Sequence, residues 1–444
     1  MAVISVTSGQ EKLSLTVEKA IEIGVENSKA LHSSLMKVQY ADAKLSETNA
    51  SRLPLLKAGG SYTRLSDVPS FQATVPANSF GQGFPPQSVS FPLSQTILDN
   101  YNLRLTLQQP LFTGFRLESS SNIADFTAHA SDEEYKKSRS DLMYEVKNSY
   151  WNLYKAIEFK KVIDENVEQV KAHLKDVKSF YAQGIVTKNE VLKVEVQLSN
   201  TLILQTDAQN NVRLAGISLN NVLGISLTTE VELASTIQHQ PRESDEINSL
   251  IQKATEQRPE VQAMEYRVKA GEAGVTLARS GWFPQIYLNG NYYYARPNPR
   301  IVPAQDQFKN TWDVNLSVSL DIWNWGTTVH QTNQAQAQLA QAQDALGQLR
   351  DGITLEVTQN YLNLNQAKER IALAETTVSQ AEENYRITNE KFKAGLALNS
   401  DLLDAEVALL QAKWTYIQAL VEDELANARL QKSIGVTVNI EENN

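Results

Sequence analysis

Two carboxylates three residues apart, Asp401 and Asp404, follow a glycine at position 395 and form the best-placed acidic pair in the chain. On a helix, positions i and i+3 are neighbours on one face, so the pair would present a cation-attracting patch. Acids in the first turn of a helix also have a plainer use, which is to offset the positive end of the helix dipole. The residues alone leave both readings open. Little else in the sequence could do chemistry. The five histidines, His32, His129, His173, His239 and His330, are scattered without ligand spacing and are expected at the surface. There is no glycine-rich phosphate loop, no nucleophile elbow and no His-Glu-x-x-His. Cysteine is absent, which removes disulfides, thiolate metal sites and a lipid-acceptor thiol. Four methionines do not make a soft-metal relay. No catalytic residue, metal or cofactor is assigned, and an enzyme is the weakest of the function classes.

The elements that must position the acids come in duplicate. Val146–Gly224 aligns without a gap on Val357–Gly435 at an offset of 211, pairing Tyr150 with Tyr361, Asn152 with Asn363, Gly184 with Gly395 and Glu195 with Glu406. A second alignment at offset 230 pairs Pro54 with Pro284, Gly60 with Gly290 and Tyr62 with Tyr292. Each copy reads helix, strand, strand, long helix, turn, helix, so 444 residues make one body of two copies rather than two or three unrelated domains. The first repeat is 1–224, with an N-terminal helix, strands near 55–65 and 101–110, a long helix 115–182 and a helix 188–223. A linker 225–245 leads to the second repeat, 246–435, with a helix, strands near 284–295 and 311–323, a long helix 327–394 and a helix 399–434. A tail, 436–444, closes the chain.

The composition faces water. Hydrophobic residues make up 42% and charged residues 21%, with a mean hydropathy of −0.35, and no window approaches the 18 apolar residues of a transmembrane helix. The net charge of −10 comes without a basic cluster, which argues against nucleic acid as a partner. Met1–Ser5 lacks the basic and apolar regions of a secretory signal, so a signal peptide is absent from this chain. That fits a cytoplasmic protein or a mature sequence carrying an added start methionine.

The strands carry the membrane signal. Tyr101, Leu103, Leu105 and Leu107 alternate with Asn102, Arg104, Thr106 and Gln108. Trp312, Val314, Leu316, Val318, Leu320 and Ile322 alternate in the same way with Asp313, Asn315, Ser317, Ser319 and Asp321. Each run approaches the 9–11 residues of a tilted membrane strand. Tyrosines on the partner strands and the pair Trp323/Trp325 suit interfacial girdles. A single strand of this kind reads more readily as half of a soluble sheet. Four of them in two copies of one hairpin favour a barrel, and four strands cannot close one, so closure must come from several chains. The hairpin loop Ser66–Asn100 is long and Pro-rich, as extracellular barrel loops often are.

Between Gly326 and Gly395 there is no proline, and a helix of that span is about 100 Å long. Its seam, Leu364, Ala367, Ile371, Ala374, Val378, Ala381, Tyr385, Thr388 and Phe392, steps by three and four with bulky and small residues interleaved. Leu153, Ala156, Ile163, Val167, Val170, Leu174, Val177 and Tyr181 do the same in the first copy. The alternative that these helices leave open is an extended coiled-coil or fibre protein with no channel.

Taken with the tandem repeat, four passages resemble the TolC-like outer-membrane efflux proteins over essentially the whole chain. They are Arg52-Leu53-Pro54, Trp282-Phe283-Pro284, the strand exit Gln109–Gly114, and Phe392–Leu396 followed by Asp401–Ala405. The resemblance implies a mainly α fold with a membrane β-barrel portion. In it a homotrimer builds a 12-stranded barrel in the outer membrane of a Gram-negative cell, continued by a long α-helical tunnel in the periplasm. It implies a passive exit duct of a tripartite efflux or type I secretion system, with a periplasmic adaptor and an inner-membrane pump as partners and outer-membrane lipid around it. It places the turns Gly184-Ile185 and Gly395-Leu396 at the adaptor-docking tip and makes Asp401 and Asp404 a periplasmic entrance ring. Glu190 is the first copy's counterpart of Asp401, while Lys193 replaces Asp404. A Tyr and an Arg that latch neighbouring helices in some members appear here as Phe392 and Ala397, so other contacts must hold the tip. Asn189 and Ser400 are the expected N-caps beyond the two turns.

Overall fold

A computed structural model describes residues 13–66, 70, 72–92, 96–237 and 246–436. Met1–Ser5, His239, residues 238–245 of the linker and the tail beyond 436 lie outside the described residues. The first copy runs β1 (Leu13–Leu15), α1 (Val17–Asn27), α2 (Lys29–Ala50), β2 (Leu55–Arg64), β3 (Gln72–Val75), β4 (Val89–Pro92), β5 (Asp99–Phe112), α3 (Arg116–Ala182) and α4 (Lys188–Leu223). The second runs β6 (Val231–Leu233), α5 (Ile247–Gln257), α6 (Pro259–Arg279), β7 (Gln285–Arg296), β8 (Lys309–Ser319), α7 (Thr327–Lys393) and α8 (Asn399–Ser433). The offsets seen in the sequence recur in the elements: α1, α2 and β2 start 230 residues before α5, α6 and β7, and α3 and α4 start 211 before α7 and α8. The offsets differ by 230 − 211 = 19 residues, which the first hairpin loop absorbs by folding into the small β3–β4 hairpin.

The chain divides into two compact units. Of the described residues, the first contains those within 13–39, 129–265 and 344–436, the second those within 40–128 and 266–343. In the first unit, β1 pairs in parallel with β6, and Tyr150 pins the pair: its hydroxyl donates to the Leu15 carbonyl (2.8 Å) and accepts from the Ser235 N–H (3.0 Å). Around it pack Ile21, Val146, Leu219, Leu223 and Val421. A second cluster joins α5–α8 through Leu250, Val261, Ile353, Val357 and Leu430. Buried Arg258 donates there to Glu356 (2.6 Å) and to the Ser433 carbonyl (3.2 Å). The helices are rich in Ala, Gln, Glu and Lys, all strong helix formers, so propensity and pattern agree. Ile353, Leu364, Ala367, Ile371, Ala374 and Phe392 are buried along α7, and Val167, Val170 and Val177 along α3.

In the second unit, the sheet order is β2-β5-β7-β8, all antiparallel, so β2 and β8 are its outer strands. Each strand-to-helix passage turns on two consecutive left-handed residues, Gly114 (φ 64°) and Phe115 (φ 66°) in one copy, Trp325 (φ 56°) and Gly326 (φ 78°) in the other.

Four features differ from the sequence reading. The single helix expected before each β-hairpin is two, because Ser28 ends α1 and its hydroxyl caps α2, while Pro259 at the first position starts α6. The linker contains β6, a strand too short for alternation to show. The strand ending in Leu320 and Ile322 stops at Ser319, opposite Gln285, because Pro284 beyond it has no N–H for the ladder. The N-caps are Thr187 and Leu398, so Asn189 and Ser400 lie inside the first helical turn.

Candidate functional site

Register sorts every side chain of the sheet onto one of two faces. Leu56, Ala58, Gly60 and Tyr62 of β2 stand opposite Leu107, Leu105, Leu103 and Tyr101 of β5. The same face continues through Tyr292 and Leu288 of β7 to Trp312 and Leu316 of β8. Leu56, Leu105, Val314, Leu316 and Val318 are all exposed, which a sheet in water would not tolerate over such an area. At the loop end this face closes with aromatic rings. Tyr62 meets Tyr101 (5.0 Å between centroids), Tyr101 meets Phe308 (5.7 Å), and Tyr294 stacks on Phe308 (5.0 Å). Beyond the rings, Arg64 pairs with Asp99 (2.8 Å) and Arg296 with Asp306 (2.6 Å). Trp323 and Trp325, in edge contact at 5.7 Å, stand exposed at the other end. Ten residues of β2 tilted by 35–45° span about 25 Å, the height of an outer-membrane apolar band.

The opposite face is polar and cross-linked. Asn291 accepts from Arg104 (2.7 Å) and Thr106 (3.0 Å) through Oδ1 and donates to Asp313 (2.8 Å) through Nδ2. Asp313 also holds Arg300, and both guanidiniums lie against the Tyr293 ring, at 5.3 Å for Arg104 and 4.5 Å for Arg300.

The other predicted residues lie in the first unit, where α3 turns into α4 and α7 into α8. Gly184 (φ 71°) and Gly395 (φ 74°) each stand just past a helix end in the left-handed region, where a β-carbon is strained. The N–H groups of Gly184 and Ile185 reach the carbonyls of Tyr181 (3.0 Å) and Phe180 (2.9 Å); those of Gly395 and Leu396 reach Phe392 (3.0 Å) and Lys391 (2.8 Å). Ile185 and Leu396 are exposed, and nothing lies within 4 Å of where a β-carbon on either glycine would sit. Asp401 and Asp404 are exposed in the first two turns of α8, and one oxygen of Asp401 accepts the Leu398 N–H (3.1 Å). Glu190 is engaged from two sides: Lys193 donates at 2.9 Å and Asn399 of α8 at 2.8 Å. These two partners hold its carboxyl below the usual range.

The sequence reading missed one feature of this region. His173, expected at the surface, is buried on α3, with its Nδ1 3.2 Å from Oε1 of Glu406 on α8. Their side chains are 2% and 1% exposed, and none of their four polar atoms makes an aligned hydrogen bond. Phe392 covers the imidazole edge-on at 5.1 Å, and Val170, Val177, Val194 and Leu402 pack in the same cluster. The helical step from Val170 to His173, Leu174 and Val177 placed His173 beside the apolar seam, and this was the available signal. His32, His129 and His330 are exposed as expected, and no group of three or more metal-ligating side chains occurs among the described residues.

Known proteins share this architecture. The chain is 21% identical over 431 residues to the outer membrane efflux protein BepC of Brucella suis biovar 1 (strain 1330), covering 97% of this chain and 88% of that one. The crystal structure of a membrane protein from Pseudomonas aeruginosa superposes with a TM-score of 0.78 at 18% identity, over 94% of this chain and 92% of that one. The outer membrane protein VceC from Vibrio cholerae superposes with a TM-score of 0.75 at 17% identity, over 94% and 96%. At these identities the two structures speak for the fold alone. The family described as outer membrane efflux protein matches residues 21–225 and 250–436, which together span both copies of the repeat, and the chain belongs to that family.

Proposed function

We propose that three copies of this chain close one 12-stranded barrel in the outer membrane, and that their helices form a tunnel that passively conducts cargo out of the periplasm. The observation that carries the reading is the pair of outer strands β2 and β8 on a sheet with one exposed apolar face. Open strand edges are not tolerated in hydrocarbon. Four antiparallel strands leave β2 and β8 running in opposite directions, so β8 of one copy can extend the ladder of β2 in the next. The absence of cysteine makes this directly testable. Within one chain β2 and β8 are three strand spacings apart, about 14 Å, too far for a disulfide. Ala58→Cys combined in turn with cysteine at Trp312, Val314 or Leu316 should therefore yield covalent dimers and trimers on a denaturing gel. Monomers alone from every combination would sink the trimeric barrel.

A periplasmic adaptor and an inner-membrane pump are the partners this reading needs, and the two exposed glycine turns are the place for the adaptor. A bulky residue at Gly184 or Gly395 meets no neighbour, but it strains a left-handed position by about 1–2 kcal/mol and alters the turn surface. Efflux should fall in both variants while trimer recovery stays unchanged. Unaltered efflux in both would put docking elsewhere.

The entrance is assigned to Asp401 and Asp404, with Glu190 nearby. A threefold axis would bring six carboxylates from α8 around a water-filled opening, where like charges favour cation uptake. Glu190 is the weaker member, since Lys193 already offsets it. Asp401→Asn with Asp404→Asn should reduce cation selectivity and cation block in single-channel recordings. Wild-type selectivity in the double variant would leave these acids as helix-terminus partners, a role the Leu398 N–H contact of Asp401 already fills.

A further inference from the structure

The charges of the sheet are not shared evenly between its faces. On the apolar face, Arg64, Asp99 and Arg296 share the register of Tyr62 and Tyr101, and with Asp306 they form two closed ion pairs. On the polar face stand Lys57 opposite Thr106, Arg104 opposite Tyr293, and Lys309 opposite Ala295, with Asp313 opposite Asn291 and Arg300 reaching in from the β7–β8 loop. That is four cations against one carboxylate, a surplus of 4 − 1 = 3 positive charges per chain, on a protein whose net charge is −10. Arg300 is matched by Asp313, whereas Arg104 is held by a neutral amide and a ring. Its guanidinium is oriented without being neutralised.

We propose that the polar face of the sheet is an anion-attracting exit, in which Lys57, Arg104 and Lys309 favour passage of small organic anions carrying carboxylate, sulfonate or phosphate groups. The inference rests on the trimeric reading, which turns the apolar face to lipid and the polar face to the lumen. Three chains place nine such cations around one water-filled passage, with low-dielectric walls that focus their field. Fixing Arg104 against Tyr293 and Asn291 keeps a guanidinium fork presented to passing anions instead of folded onto a carboxylate. The assigned entrance carries charge of the opposite sign.

Reversal potentials across a salt gradient in planar bilayers test this. With Asp401→Asn and Asp404→Asn removing the entrance acids, the channel should prefer chloride over potassium. Adding Lys57→Gln, Arg104→Gln and Lys309→Gln should lower the chloride-to-potassium permeability ratio about tenfold, since such fields change local ion concentrations by at least that factor. The difference should shrink in 1 M salt, where screening reaches only about 3 Å. Inositol hexakisphosphate added on the barrel side should block the Asp401→Asn/Asp404→Asn channel at a lower concentration than the variant with all five substitutions. A conducting trimer with the same permeability ratio and the same block in both proteins overturns the anion-attracting exit. Absence of any conductance or trimer from the parent chain would instead overturn the channel reading itself.

Discussion

Replacing His173 alone by leucine should cost the tip about 3–5 kcal/mol, whereas replacing both His173 and Glu406 by leucine should be neutral or stabilise it by about 1–4 kcal/mol. The asymmetry follows from where the pair sits. A carboxyl group that is 1% exposed has lost its water, and the imidazole 3.2 Å away meets it without hydrogen-bond alignment. Contact of that quality recovers little of the desolvation cost, yet removing one partner takes from the other its nearest polar neighbour. Two leucines would meet Val170, Val177, Val194 and Phe392 as further apolar neighbours. Hydrogen exchange at the α8 amides around Leu402–Leu409 reads the local stability, because openings of this segment need not unfold the remainder of the chain. Single effects that simply add in the double variant would show that the two residues are uncoupled. The pair lies where α3 meets α8. It occupies the neighbourhood of Phe392, where the expected latch residue is replaced.

The second large effect lies in the sheet. Leu316→Arg places a cation on the apolar face, whereas Asn315→Arg one residue earlier places it on the polar face. Within the isolated chain Leu316 is 60% exposed, so its replacement removes almost no folded contact. In a bilayer the same change costs about 2–4 kcal/mol per copy near the midplane, or roughly 6–12 kcal/mol over three copies. That approaches the whole stability of a typical domain. Recovery of trimer from outer membranes should therefore collapse for Leu316→Arg and persist for Asn315→Arg. Equal recovery of the two would mean that this face does not meet lipid.

What the sequence revealed and what it hid divide along physical lines. The alternation from Tyr101 to Gln108 was readable because period two is a local property of a strand with unlike faces. The seam from Leu364 to Phe392 was readable because helices of this length bury one stripe, and the stripe repeats many times. The turns at Gly184 and Gly395 announced themselves through a residue type that the backbone requires. The His173–Glu406 contact joins residues 406 − 173 = 233 apart, and nothing near either one signals the other. The β1–β6 pair is hidden for the same reason and by its length of three residues. Leu398 was missed as a cap because its side chain cannot accept the hydrogen bond that gives cap residues their preference, and Thr187 because Asn189, two residues on, is also a preferred cap type.

The strand-to-helix passages have a consequence for how the two halves of the gene can exchange material. In the first copy glycine comes first and an aromatic second, Gly114-Phe115; in the second the order is reversed, Trp325-Gly326. The two passages therefore share a pair of dihedral angles and not a residue order, with one glycine in each. Recombination between the repeats at this point would join Gly114 to Gly326, or Trp325 to Phe115. The first product has a passage with two glycines and excess freedom in the unfolded chain; the second has two bulky residues in a region where each is disfavoured by about 1–2 kcal/mol. Neither crossover product matches its parents, so the two passages are not interchangeable at this junction without a backbone cost.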